Sequence, residues 1–479
     1  MTTRPFSASV RRAPGQALVL TLFLLVLGVA GLLRLYDSGQ LVHEKSRLTH
    51  AADAAAYSGA LVQARALNFQ AYANRTQMAH QVAMAHLVTL ASWARFGATQ
   101  AHQAAASNPP IGVVGMMFGA DHAAAYGAAL AAAGLDAGAA REGSLGRAFA
   151  EHERIVAEVL ERAQRAVFET LPMARQSAME AVLQANYDDA PPVTGGDVRL
   201  DPVLLGDNLP GYLAWHQGAA RARLRNIVLR ATDKYAFLDD RNHTARNPWV
   251  VSGRCPHRRH ELRRRGATRL EGNDTWQSID TQSYHALRSN RWVGCYFREY
   301  PMGWGVAAGG RINPEALEHV DAPPADFSSQ DFWRWVTAHT NWDIFTGAAN
   351  PLANSRALAA GTAWRSRGLP GYADIASAFA VDGNAMRFAI RVMRPQDSLA
   401  VLGRASRVSV AGRLFAGNTR LPADVMAAIS AAETWFERPD AEKRNPAELA
   451  SLFNPYWQAR LSPVTDAERA VALSRQSRS

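Results

Sequence analysis

Apolar and small residues recur every seven positions from Leu41, at Leu41, Leu48, Ala55, Val62 and Phe69. Four residues after each stand Lys45, Ala52, Gly59, Ala66 and Ala73, most of them small. Such a stripe predicts a long alanine-rich helix whose small flank lets a neighbour approach closely. Packing on its own domain is the simpler reading of that stripe, with its first turns also open to a partner helix. The pattern runs through Trp93 and Phe96 and stops near Asn108-Pro109-Pro110. Ile111–Phe118 is apolar over only eight residues, too short for a membrane span. A second amphipathic helix is expected over Leu145–Tyr187, with Ile155, Val159, Ala163 and Val167 at four-residue spacing.

After a Pro-, Gly- and Asp-rich stretch at 188–202, the pattern changes. Met386, Phe388, Ile390 and Val392 alternate with Arg387 and Arg391, which predicts a half-buried strand, with Val408–Leu414 as a candidate partner. Leu421–Phe436, opened by Pro422 and closed by Pro439, reads as helix.

Upstream of the heptads, Ala17–Leu33 runs 17 residues without a charge. At 1.5 Å per residue that is about 25 Å, and extending it through Arg34, Leu35 and Tyr36 gives about 30 Å, a bilayer core. Arg34 would then snorkel and Tyr36 would sit at the interface. Arg4, Arg11 and Arg12 precede the span without an acidic residue, so the amino terminus is expected inside and everything from Tyr36 outward is expected to be exported. Gly28-Val29-Ala30 also offers a signal-peptidase pattern, but the apolar run continues past it through Leu33, which favours a retained anchor.

The expected architecture is α+β: a basic leader at 1–16, a transmembrane helix at 17–36, and a helical exported domain at 37–187. A linker at 188–202 then leads into a mixed α/β exported domain at 203–479 with a carboxyl-terminal helix. Fifty-two basic against 42 acidic residues give a net charge of +10, almost all of it arginine, because Lys45, Lys234 and Lys443 are the only lysines. This skew fits a GC-rich coding bias as readily as anion binding. A mean hydropathy of −0.18 excludes a multi-span protein.

The amino-terminal residues carry a family resemblance. Arg11-Arg12, Gly15-Gln16, the single span and Ala51-Ala52-Asp53-Ala54-Ala55-Ala56 ending in Gly59-Ala60 resemble TadG-like proteins of the Tad, or Flp, pilus-assembly system. Ala64–Trp93, Gly303-Trp304-Gly305 and Leu452–Leu461 resemble the longer proteobacterial members. The resemblance implies a non-enzymatic inner-membrane protein with the bulk of the chain periplasmic. Its implied partners are other Tad pilus-assembly proteins or pseudopilins. Processed pseudopilins of this system carry Glu at the fifth position after the cleavage-site Gly; counted from Gly15, that position is Leu20, which argues for an unprocessed, membrane-retained chain. The von Willebrand A metal motif of some members does not occur here.

No catalytic residue, cofactor or metal site is expected. Lys45-Ser46 lacks a glycine cradle, and neither His-Glu-x-x-His nor Gly-x-Ser-x-Gly occurs. His80 and His86 stand six apart and would not share a helix face. Cys255 and Cys295 are the only cysteines and on an exported chain read as one disulfide. The alternative is zinc held by Cys255, His257, His260 and Cys295, disfavoured by Arg258, Arg259 and Arg263 around them. Seven arginines between Arg254 and Arg269 oppose one acidic residue, Glu261. A solvated loop is the simpler reading; Arg258, Arg259, Arg263, Arg264 and Arg265 are also candidates for holding anionic lipid or cell-wall polymer. Nucleic acid is not expected as a partner on the exported side.

Overall fold

The computed structural model describes residues 16–107, 109–187, 202–292, 294–312, 361–380, 385–395, 425–438 and 450–476. Arg11 and Arg12, most of the expected linker and the candidate strand Val408–Leu414 lie outside them. In chain order the elements used below are helices α1 (Gln16–Ala105), α2 (Ile111–Phe118), α3 (Ala120–Ala128), α4 (Ser144–Arg154), α5 (Glu161–Asn186) and α6 (Ala222–Thr232), with α7 (Asp466–Gln476) last. The strands are β1 (Val203–Asp207), β2 (Leu213–His216), β3 (His243–Arg246), β4 (Glu261–Leu270), β5 (Trp276–Asn290) and β6 (Gly294–Ala308). They continue with β7 (Thr362–Ala363), β8 (Tyr372–Ile375), β9 (Met386–Pro395), β10 (Val425–Phe436) and β11 (Trp457–Ser462). The fold is α+β, with the expected helix stop before Pro109 and the expected strand at β9 both present. A π-helical turn, Ile155–Leu160, joins α4 to α5, so the helix foreseen over Leu145–Tyr187 is one nearly continuous rod.

The chain folds as two compact units, each assembled from separate segments: 1–68, 169–213 and 375–479 in the first, 69–168 and 214–374 in the second. The expected division into a helical 37–187 and a mixed 203–479 is therefore not the one that packing makes, because each of those segments contributes to both units.

In the first unit β1, β9, β10 and β11 form an antiparallel sheet in that order. Leu48, Ala51, Ala52, Ala55, Ala56 and Ala60 of α1 pack on Phe388, Ile390, Val392, Ala428 and Ala432, with Met179 and Leu183 of α5 completing the core. Gly59 is required there, since a Cβ on it would come within 2.8 Å of the Phe388 ring. The segment expected as helix at Leu421–Phe436 is instead strand β10 over its described part. Its alanines suit a helix by propensity, but Met426, Ala428, Ser430, Ala432 and Thr434 are buried at a period of two. Small residues at those positions let α1 lie close to the sheet. Ser430 Oγ donates to Asp53 Oδ1 (2.6 Å) and Thr434 Oγ1 to the Ala60 carbonyl (3.0 Å), tying strand to helix.

In the second unit β3–β4–β5–β6 is antiparallel and β7 adds parallel to β6. The later turns of α1 pack on this sheet through Gly303 and Gly305. A Cβ on Gly305 would fall 2.2 Å from the Ser92 carbonyl oxygen and 2.4 Å from the Phe96 nitrogen. Gly303-Trp304-Gly305 is thus a notch that admits the helix backbone.

The heptad stripe holds only at its start. Leu48 and Ala55 are buried and Leu41 packs at the core edge, but Val62 is half-buried and Phe69 is 40% exposed. One line of buried positions runs 48, 52, 55, 59, 63, 67, 70, 74, 77, 81, 84, 88, 92, 96, an average step of about 3.7, with further buried residues beside it. A straight helix drifts off a seven-residue repeat by about 20° per heptad, which carries Phe69 out of the contact. From residue 63 onward the seam mixes polar and apolar residues: Gln63, Gln70, Asn74, Gln77, Gln81 and Ser92 are buried along with Leu67, Met84, Val88 and Phe96.

Candidate functional site

Helix α1 changes environment along its length. Leu18, Leu20, Leu22, Phe23, Leu24 and Leu25 are each about 60–75% exposed, and no residue of the most apolar stretch is buried. From Leu48 the same helix is sealed in the first unit. The transition is a collar of charge. Glu44 pairs with Arg394 of β9, and Lys45 donates to the Ala427 carbonyl of β10. Arg47 donates to the Asn186 carbonyl (2.7 Å), and Arg47 and Arg394 both lie over the Tyr187 ring, at 4.5 and 5.0 Å. Burial lowers the Lys45 pKa and raises that of Tyr187. Arg34 lies exposed between the apolar stretch and this collar.

The cysteines are joined: Cys255 and Cys295 are disulfide-bonded with a Cα separation of 5.9 Å. His260 is committed elsewhere, since its Nδ1 accepts from the Leu287 amide (2.8 Å) and its ring meets Tyr284 edge-on. The zinc alternative is therefore not the arrangement built. The five candidate anion-binding arginines do not converge either, because three of them lie on strand β4 and alternate across the sheet. Arg263 pairs with Glu261 (2.7 Å). Arg264 crosses to the α1 face and covers the Trp93 and Phe96 rings at 4.4 and 5.2 Å, with its pKa lowered by burial. Arg265 donates to the His243 carbonyl (3.0 Å) and to Thr244 Oγ1 (3.1 Å). Arg258 and Arg259 remain in the loop before β4, with Arg258 donating to the Cys295 carbonyl (2.8 Å).

Sequence reading missed three polar arrangements in the second unit. Asp280 of β5 is fully buried, pairs with Arg241 (2.7 Å) and takes a hydrogen bond from Ser92 (2.8 Å); desolvation outweighs these partners and raises its pKa. His80 and His152 bring their Nδ1 atoms to 2.7 Å, and burial lowers both pKa values. Ser283 Oγ lies 2.9 Å from His285 Nε2, but both residues are buried and His285 is held neutral by desolvation beside Arg263 and Arg265. Both side chains of that pair lie inside the sheet's core. Period-two reading of β5 would have found Ser283 and His285 on one face; nothing local joins His80 to His152.

An open groove on the second unit is lined by Arg141, Arg147, Glu153, Trp364 and Arg367. Its half-buried Glu153 is engaged, accepting from the Arg367 amide (2.5 Å) and from Ser366 Oγ (3.3 Å), while desolvation raises its pKa. Glu142 and Glu158 also line the groove beside its arginines, and Arg367 pairs with Glu158 at 3.4 Å.

No curated protein and no solved structure matches the chain. Residues 15–64, the exposed apolar stretch, the collar and the first buried turns, match the family model for putative Flp pilus-assembly TadE/G-like proteins. The similarity to the Tad family rests on that amino-terminal segment.

Proposed function

We propose that the chain is a non-enzymatic, single-pass inner-membrane protein that supports assembly or anchoring of a Tad/Flp-type pilus. The observation that carries this is the coincidence of the family match with the change of environment along α1. Side chains that stay exposed over about 18–36 would otherwise present apolar surface to water. In a bilayer the same surface is at home and the helix backbone is satisfied internally. Leu41, the first core contact, follows so soon after Tyr36 that only about 8 Å of helix separates the span from the folded unit. The protein then works as a scaffold mounted close to the membrane, with its amino terminus cytoplasmic and its folded units exported. The stripe Leu41–Phe69 is not the partner surface, because its buried members pack on the chain's own sheet. Contacts with other pilus-assembly proteins or pseudopilins fall instead to the exposed helix before the collar.

Deletion followed by imaging of surface pili tests the role: loss of pili, restored by the intact gene, supports it, and normal pili overturn it. Carbonate extraction tests the anchor. Retention in the membrane pellet supports it, and a soluble mature chain beginning at Gly31 shows a cleaved signal instead.

A further inference from the structure

The far end of the β5–β6 hairpin carries a surface that the pilus-support reading does not use. Trp292 stands in the turn and is 80% exposed, beside the exposed Arg291. The loop preceding β4 is fastened to the same tip. Ser252 Oγ lies 3.0 Å from Ser289 Oγ, the Cys255–Cys295 bond closes the loop onto β6, and Arg258 donates to the Cys295 carbonyl. Val251, Cys255, Leu287 and Phe297 form a small apolar seat under the loop. That loop exposes Trp249 (48%) and Val250 (52%) just before Ser252, and Arg254 and Arg258 just after it. No acidic residue occurs in 249–260 or 289–297.

We infer that this stapled tip docks onto an anionic lipid bilayer, its tryptophans entering the headgroup region while its arginines meet the phosphates. Two tryptophans and a valine held out beside unopposed arginines have the chemistry of a membrane–water interface, where amphipathic rings settle at headgroup level and basic residues add attraction to anionic lipid. The tip projects from the end of a hairpin, which suits insertion into a surface better than enclosure of a polymer chain. The inference rests on the exported placement of the second unit, not on the pilus role. It also moves the anion-binding function from Arg263–Arg265, which the sheet consumes, to Arg254, Arg258 and Arg291.

The test uses the full chain carried by its first helix in phosphatidylcholine nanodiscs, mixed with separate vesicles of phosphatidylcholine or phosphatidylglycerol and floated on a density gradient. Flotation with phosphatidylglycerol and not with phosphatidylcholine is expected. Trp292→Ala should weaken it about tenfold, and Arg258→Ala about fivefold. Both positions are exposed, so folding is checked simply by the intact disulfide. Equal flotation with both lipids, or unchanged flotation of both variants, overturns the inference. Retention on isolated anionic cell-wall polymer without flotation also overturns it and gives the tip to a polymer. Nanodisc incorporation reports on the first helix alone, so failure of the anchor and failure of the tip are read separately.

Discussion

Gly305 lies so close beneath Ser92 that a Cβ on the glycine would come within 2.2 Å of the serine's carbonyl oxygen, while Ser92 Oγ reaches the Gly305 carbonyl at 3.0 Å. Helix and strand here touch backbone to backbone. Neither can retreat without breaking the shared contact of Ser92 with Asp280.

Gly305→Ala should therefore destabilise the protein by about 3 kcal/mol, the upper range for overpacking a site that cannot relax. Gly272, where an added Cβ would meet nothing within 4 Å, is the control: Gly272→Ala should stay within about 0.5 kcal/mol. Urea unfolding of both variants in detergent checks the pair. Equal midpoints would mean that the notch does not hold the helix.

This contact shows what was legible in the sequence and what was not. The glycine pair flanking Trp304 stood out as a family feature, but only its approach to Ser92 and Phe96 gives the physical reason. Helix α1, its stop and strand β9 followed from periodicity, because burial on one side writes itself as spacing. Strand β10 did not, because alanine is chosen there for the clearance of α1, and alanine carries no strand preference. Phe69 misled because a seven-residue count drifts on a straight helix. The buried glutamines were invisible because their partners lie far along the chain: Gln70 Nε2 donates to the Gln164 carbonyl, 94 residues away. Arg263, Arg264 and Arg265 read as one basic run, yet a strand sends neighbours to opposite faces.

Breaking the collar should loosen the mounting of α1. The side chains of Arg394 and Glu44 are 7% and 12% exposed, so Arg394→Ala strands a carboxylate beside Tyr187. A loss of about 3 kcal/mol is expected, as for one partner removed from a buried pair. Because Asn186 is tied to Arg47 in the same collar, limited proteolysis just after Asn186 should accelerate. Glu44→Gln with Arg394→Met should recover much of the loss; no recovery would show that the pair's charge is not what matters.

The disulfide closes a separation of 40 residues, for which loop-closure entropy gives about 4 kcal/mol. Cys255→Ser with Cys295→Ser should lower stability by that order, and the intact chain should show no alkylation until reduced. Two thiols reactive without reductant would contradict the pairing.

The His80–His152 pair sets a pH dependence. Two Nδ1 atoms at 2.7 Å need one donor and one acceptor, so the contact tolerates a single proton between them and is lost when both rings are charged. Both folded pKa values lie below the ordinary 6.5, first through burial and, for His80, through repulsion from His152, while Glu151 opposes the shift at His152. A depressed folded value means that the unfolded chain binds protons first as pH falls. The stabilisation is then complete above 6.5 and is lost as pH drops through the lower folded values. The neutral, buried His285 adds the same sign. Urea midpoints should fall between about pH 8 and about pH 5. His152→Gln keeps a hydrogen-bonding partner for His80 and should flatten that fall without abolishing it, since His285 still titrates. A variant curve parallel to the wild type would remove the pair from the account and leave His285 as the source.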